Sequence, residues 1–259
     1  MTASPLDARE LADRTAGLLD GVRARRPRVH AITNAAAQVF TANLLLAAGA
    51  IPSLTVSPEE APAFAGRADA LVVNLGTLDS ERRGAIPWAV AAARQAGKPW
   101  LLDPVFVDAS PPRLALARLC LAGRPAVLRC NAAEFAALAE REASPENAGR
   151  FAAEQGIVVA LTGPVDWIAD GERTVGIRNG HPLMTRVTAM GCAATALLAA
   201  FAALEPDPLV AAAAGLLAVG VAGEIAGERA AGPGSFQPAF LDALDALDRA
   251  ALADRARLA

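Results

Sequence analysis

ADALVVNLGTLDSERRGAIPWAVAAARQAGKPWLLDPV, residues 68–105, places two apolar runs on either side of a longer alanine-rich segment. Ala70 to Gly76 and Trp100 to Val105 are apolar at nearly consecutive positions, the pattern of strands buried on both faces. Ser80 to Ala96 between them has helical length and composition, which supplies the crossover that parallel neighbours require. The same alternation extends outward. Arg28 to Thr33, Ile51 to Val56, Ala126 to Cys130 and Ile157 to Thr162 read as strands, Ala35 to Ala48 reads as a helix, and the breaks carry Gly, Pro, Asn or Asp. The expected fold is α/β, a mostly parallel central sheet covered by helices.

Past Thr162 the pattern changes. DWIADGERTVGIRNG sets Asp170-Gly171 between two short extended runs, a hairpin signal because Gly tolerates the positive φ of the turn. Ala193 to Leu204 and Leu209 to Gly223 are apolar stretches separated by EPDP, so they form a helical hairpin broken by proline. No linker or repeat divides the chain, and residues 1–259 are expected to form one domain.

Composition narrows the function. Apolar residues make up 54% of the chain, aromatics only 4%, and there is no Tyr, so the core is built from Ala, Leu and Val. A formal charge of −3 and the shortage of aromatics argue against a nucleic-acid partner. Cys120, Cys130 and Cys192 are scattered, without a Cys-x-x-Cys pair, which suits a reducing cytoplasm. The first twenty residues mix acids and bases and lack the apolar core of a signal peptide. The longest apolar run, Leu209 to Gly223, falls short of the about 20 residues that span a bilayer and reads as a buried helix; no membrane partner is expected.

Several chemistries are excluded by what is missing. The single lysine, Lys98, precedes Pro99, so there is no Walker A sequence, and neither His-Glu-x-x-His, Gly-x-Ser-x-Gly nor a Gly-x-Gly-x-x-Gly after the first strand occurs. Four segments carry the remaining polar chemistry. Asp103 falls at the carboxyl end of a strand, the edge where open α/β sheets bind ligands, and its carboxylate suits a hydrated Mg²⁺ as well as it suits a simple strand ending. In Arg129-Cys-Asn-Ala-Ala-Glu134, Asn131 and Glu134 have capping-box spacing, whereas Arg129 is a charge in an apolar strand end that would suit a nucleotide phosphate. Thr188-Ala-Met-Gly-Cys192 leads into a helix and offers backbone N–H groups to an anion. Cys192 there would feel the helix dipole, which lowers a thiol pKa, or it is a small buried apolar residue. Asn34, after the first strand, reads either as an N-cap or as a donor to a polar ligand, and His181 reads as structural.

Taken together and in order, these segments resemble the hydroxyethylthiazole kinase family. The matching stretches are VHAITN (29–34), ANLLLAAGAIP (42–52), ADALVVNLGTL (68–78), KPWLLDPV (98–105), RCNAAE (129–134), VVALTGPVDWIADG (158–171), NGHPLM (179–184), MGCAATALLAAF (190–201) and GPGSF (232–236). The resemblance implies a ribokinase-like three-layer sandwich, assembled as a homotrimer with sites where subunits meet. It implies ATP as phosphoryl donor, Mg²⁺ as cofactor, and the primary alcohol of 4-methyl-5-(2-hydroxyethyl)thiazole as acceptor in thiamine biosynthesis and salvage. Residue by residue, Asn34, Leu54, Ala189 and Cys192 match substrate-side positions, and Arg129, Asn131, Thr162 and Gly191 match ATP-side positions. Asp103 and Glu134 match the acids around the metal, and Cys192 the presumed base. Two departures stand out: Leu54 replaces the usual Met, and Ala189-Met190 replaces Gly-Thr in the anion loop. Action on another small alcohol, repair of a hydrated nucleotide cofactor, a non-catalytic binder of thiazole or nucleotide, and a thiol hydrolase pairing Cys192 with His181 stay open alternatives.

Overall fold

In the computed structural model, which describes residues 6–259, the alternation read from the sequence becomes one eight-stranded sheet between two helical layers. Met1 to Pro5, part of the stretch read as lacking a signal peptide, lie outside the described residues. The chain runs α1 (Ala8–Arg25), β1 (Arg28–Ile32), α2 (Gln38–Ala48), β2 (Ile51–Ser53), α3 (Ala61–Arg67), β3 (Ala70–Asn74), α4 (Ser80–Gln95) and β4 (Trp100–Asp103). It continues through α5 (Pro111–Ala122), β5 (Val127–Asn131), α6 (Ala132–Ala139), α7 (Pro145–Gln155) and β6 (Val158–Thr162). The hairpin β7 (Asp166–Ala169) and β8 (Thr174–Ile177) follows, then a 3₁₀ turn (Pro182–Arg186), α8 (Met190–Ala202), α9 (Pro208–Arg229), α10 (Pro233–Asp245) and α11 (Arg249–Arg255).

The sheet order is β2-β1-β3-β4-β5-β6-β7-β8, parallel through β6 and antiparallel in the last two strands. Gly171 turns between them at φ +99°, as the Asp-Gly signal requires. Strand alternation divides the core. Val29, Ala31, Val72, Leu101, Val127 and Ala160 face α1, α2, α8, α9 and α10, whereas Leu71, Val73, Leu102, Leu128 and Val159 face α3 to α7. On that parity Asn74, Asp103 and Arg129 point toward the α8 layer.

The α8–α9 hairpin is packed by small residues. α9 is long and apolar enough to cross a bilayer by length and composition, yet 94% of its most apolar window is buried inside the domain. Close approach makes this possible: a Cβ on Gly215 would sit 2.6 Å from Leu198 Cδ1 and 3.0 Å from its Cγ. The shared buried face fixes where α8 begins, and α8 begins at the sheet edge that collects the polar strand ends. Gly215→Val is expected to lower unfolding free energy by about 1–3 kcal/mol through overpacking, read as a shifted urea midpoint with an unchanged m-value.

Candidate active site

The parallel strands deliver their polar residues to one edge because each apolar run ends in an amide or a charge. β3 ends at Asn74, paired in register with Asp103 at the end of β4. Both are fully buried. Asn74 Nδ2 donates to Asp103 Oδ2 at 2.6 Å, while Asn74 Oδ1 accepts from Asn34 Nδ2 at 3.1 Å and from Gly76 N at 3.0 Å. Asn34 Nδ2 also reaches Cys192 Sγ at 3.3 Å. Asn34 is therefore not an N-cap: a turn separates it from α2, whose cap is Ala37. Asn34 bonds across the site because the side chains of two other elements face it at hydrogen-bonding distance. Arg82 of α4 holds the same loop, with Nε donating to Thr33 O at 2.8 Å and the guanidinium paired with Asp79. Asn74, Thr195 and Arg82 went unread in the sequence. For Asn74 the signal was present, an amide closing the apolar run ALVVN.

Asp103 is the electrostatic centre of the group. Burial pushes its carboxyl up to about 6, against the lowering effects of the Arg129 charge and of hydrogen bonds from Asn74 and the Cys192 thiol. Thr195 Oγ1 lies 3.4 Å from Oδ2, and Arg129 Nη1 lies 3.8 Å from Oδ1, which has no hydrogen bond. The Arg129 guanidinium is pressed onto the first turn of α8: a Cβ on Gly191 would meet Nη1 and Nη2 at 2.7 Å. Any side chain at 191 would push the guanidinium from this position.

The 188–192 loop keeps its anion-binding geometry without the expected glycine. Ala189 adopts φ +69°, the left-handed conformation that costs a non-glycine residue about 1–2 kcal/mol. The first bond closing α8 runs from Ala193 N to Ala189 O, so the N–H groups of Met190, Gly191 and Cys192 lack intrahelical partners. Met190 neither turns out to solvent nor stands free in the loop; it is buried in the α8–α9 core and forms part of the cleft wall. Of the two readings the sequence allows for Cys192, the acidified thiol is overturned. Burial and the Asp103 charge raise its thiol to about 12, outweighing Arg129, the hydrogen bonds from Asn74 and Asn34, and the helix end.

Asn131 and Glu134 form the capping box that their spacing predicts. Asn131 Oδ1 accepts from Glu134 N and Glu134 Oε2 accepts from Asn131 N, both at 2.9 Å. Glu134 Oε1 also accepts from Phe106 N at 3.0 Å, fixing the loop after β4. Among the described residues no group of three His, Cys, Asp or Glu side chains gathers to hold a metal ion. Asp103 Oδ1, buried and unbonded, fits a Mg²⁺ that arrives carrying water and phosphate oxygens.

Beside these groups a cleft of about 580 Å³ opens between the β6–β7 connection and the α8–α9 layer. Arg129, Thr162 and Gly191 share its wall with Asp166, Arg178 and His181. Asn34, Leu54, Asp103, Asn131, Glu134, Ala189 and Cys192 do not line it. Leu54 is half-buried just past β2, packed against the α8-side core. His181 accepts from Leu183 N at 3.2 Å and stacks on Phe236, a structural placement with no bond to Cys192. Behind the wall, Glu224 Oε1 accepts from Asn179 Nδ2 and Gly180 N, both at 3.0 Å, and pairs with Arg257.

A sequence model of the hydroxyethylthiazole kinase family matches residues 19–250. The chain belongs to that family. A hydroxyethylthiazole kinase of Granulibacter bethesdensis is 53% identical over 99% of this chain and 98% of its own length. One from Klebsiella pneumoniae is 50% identical over 86% and 91%. The solved hydroxyethylthiazole kinase of Pyrococcus horikoshii superposes with a TM-score of 0.91 at 38% identity, covering 95% of this chain and 98% of that one. A pyridoxal kinase from Staphylococcus aureus, at 15% identity and a TM-score of 0.62 over 76% and 88%, shares the fold. This hydroxyethylthiazole kinase family member therefore has the three-layer ribokinase-like architecture expected of it. Its Cys192 thiol should react with iodoacetamide far more slowly at pH 7 than a free cysteine. The rate should climb about tenfold per pH unit through pH 10 without levelling, followed by peptide mapping.

Proposed function

We propose that this kinase transfers the γ-phosphoryl group of Mg-ATP to the primary alcohol of 4-methyl-5-(2-hydroxyethyl)thiazole. The carrying observation is the convergence on one cleft of the Arg129 guanidinium, Gly191 and the free amides that open α8, with the Asp103 carboxylate adjoining. Phosphoryl transfer needs an aligned alcohol and donors for charge spreading over phosphate oxygens, and little covalent work from the protein. Arg129 and the amides of Met190, Gly191 and Cys192 are the donors. The nucleotide lies along Thr162 in a cleft of ordinary ligand size, with Asn131 behind the wall at the neighbouring strand end. Mg²⁺, held near Asp103 and Glu134, would neutralise phosphate charge.

Asn34, Leu54, Ala189 and Cys192 make the thiazole side. Cys192 takes the alcohol proton. Because its thiol is protonated at neutral pH, it does so late, once the oxygen has bonded to phosphorus and its proton is acidic, while its own S–H proton moves to Asp103. Turnover with Mg²⁺, ATP and hydroxyethylthiazole, followed by phosphorus NMR, is expected to yield the thiazole phosphate ester. ATP and thiazole binding without product would sink the reading in favour of a non-catalytic binder. Gly191→Ala, which displaces Arg129, should raise KM for ATP about tenfold with KM for thiazole little changed, and Cys192→Ala should lower kcat more than ATP affinity.

We further propose a cytoplasmic homotrimer, without nucleic-acid or membrane partners, in which the thiazole side is completed where subunits meet. Its support in this chain is the apolar edge around β2: Val39 and Leu46 on α2, Ile51 on the edge strand and Phe64 on α3 are exposed. Light scattering should return three times the 26.4 kDa chain mass. A monomer with full turnover would refute the shared site.

A further inference from the structure

The sheet carries a side chain that no ligand needs to touch but that joins the two halves of the site. Asn74 is fully buried between Asn34, on the thiazole side, and Asp103, on the phosphate side. Its amide has one oxygen and one NH₂ group, and the neighbours leave only one way to place them. Gly76 N–H is an obligatory donor, so the amide oxygen must face it, at 3.0 Å. Asp103 Oδ2 then faces the NH₂ group at 2.6 Å. Asn34 must donate from Nδ2 to the oxygen, and that same Nδ2 reaches Cys192 Sγ.

Gly76 also keeps Asn34 in place by being small, since a Cβ there would lie 2.7 Å from Asn34 Cβ. With Oδ2 occupied by Asn74 and flanked by Thr195 Oγ1, Asp103 presents Oδ1 toward Arg129. We infer that Asn74 is a positioning residue that sets, through one amide, both the orientation of the Asn34 amide, whose NH₂ group is held between Asn74 and Cys192, and the orientation of Asp103 toward the phosphate side.

This rests on the phosphoryl-transfer reading, so wild-type turnover is measured first: its absence would fail that reading and not this one. With active wild type in hand, Asn74→Asp separates the two halves. It keeps an acceptor for Gly76 N and Asn34 but replaces the amide N–H at Asp103 with a second buried carboxyl; the two cannot both ionise and share a proton, so Asp103 is lost as a proton acceptor. The expected result is a fall in kcat of about 10- to 100-fold per folded molecule, as for loss of a hydrogen bond to a charged group, with KM for thiazole within about threefold of wild type.

Asn74→Ala removes both contacts and should lower kcat and raise KM for thiazole together, while KM for ATP stays within about threefold. A purely structural residue would instead lower the melting temperature and the folded fraction and leave both constants of the folded molecules intact. The inference is overturned if kcat per folded molecule stays within twofold of wild type in Asn74→Asp. If that variant does not fold, Asn74→Ala carries the test, and unchanged kcat and KM there overturn it equally.

Discussion

A carboxylate without water decides the arrangement of this molecule. Asp103 is fully buried, and an isolated charge in that position would be prohibitively costly or would neutralise. Its surroundings are built to keep it useful: one oxygen takes the Asn74 amide, the other looks at a guanidinium too far away for a hydrogen bond. Removing any one of these partners leaves another buried polar group unpaired, which ties β3, β4, β5 and α8 into a single electrostatic unit. The Asp103 carboxyl, pushed up to about 6, is the compromise between burial and those partners.

The fold supplies the geometry for that unit with few means. Parallel strands end together, so a residue added to the end of an apolar run arrives at the same edge as its neighbours' last residues, and register makes Asn74 and Asp103 direct partners. The small-residue helices of the α8 layer then approach closely enough for Gly191 to lie against Arg129. Bulk is omitted where backbone has to come near charge.

Much of this was legible in the chain. Buried strands announced themselves as apolar runs and the Asp170-Gly171 turn as a hairpin, because those signals are local. The strand ends were misplaced by a residue or a few, most at β2, where Leu54 to Val56 continue the apolar run without pairing in the sheet. Residue types at the candidate site were visible too, but their partners were not. Asn34 read equally as a cap, the local use of an amide, and as a donor to a ligand, and only the tertiary contacts with Asn74 and Cys192 exclude the cap. Cys192 misled for the same reason: the helix end is written in sequence, whereas the burial and the Asp103 charge that overrule it are not. Ala189 in the left-handed region likewise shows that a loop held from outside can keep a conformation its own residues disfavour.

The wall behind the cleft carries a different consequence. Asn179-Gly180 is a dipeptide that, in an open chain, ages: the glycine nitrogen attacks the asparagine amide carbon and forms a succinimide with loss of ammonia. Here the Gly180 nitrogen donates to Glu224, and the Asn179 NH₂ group is held by Glu224 and by Arg255 O. The attacking atom and the leaving group are both engaged elsewhere, so this position is protected from spontaneous chemical decay for as long as the domain stays folded, and protein lifetime becomes coupled to the integrity of one glutamate.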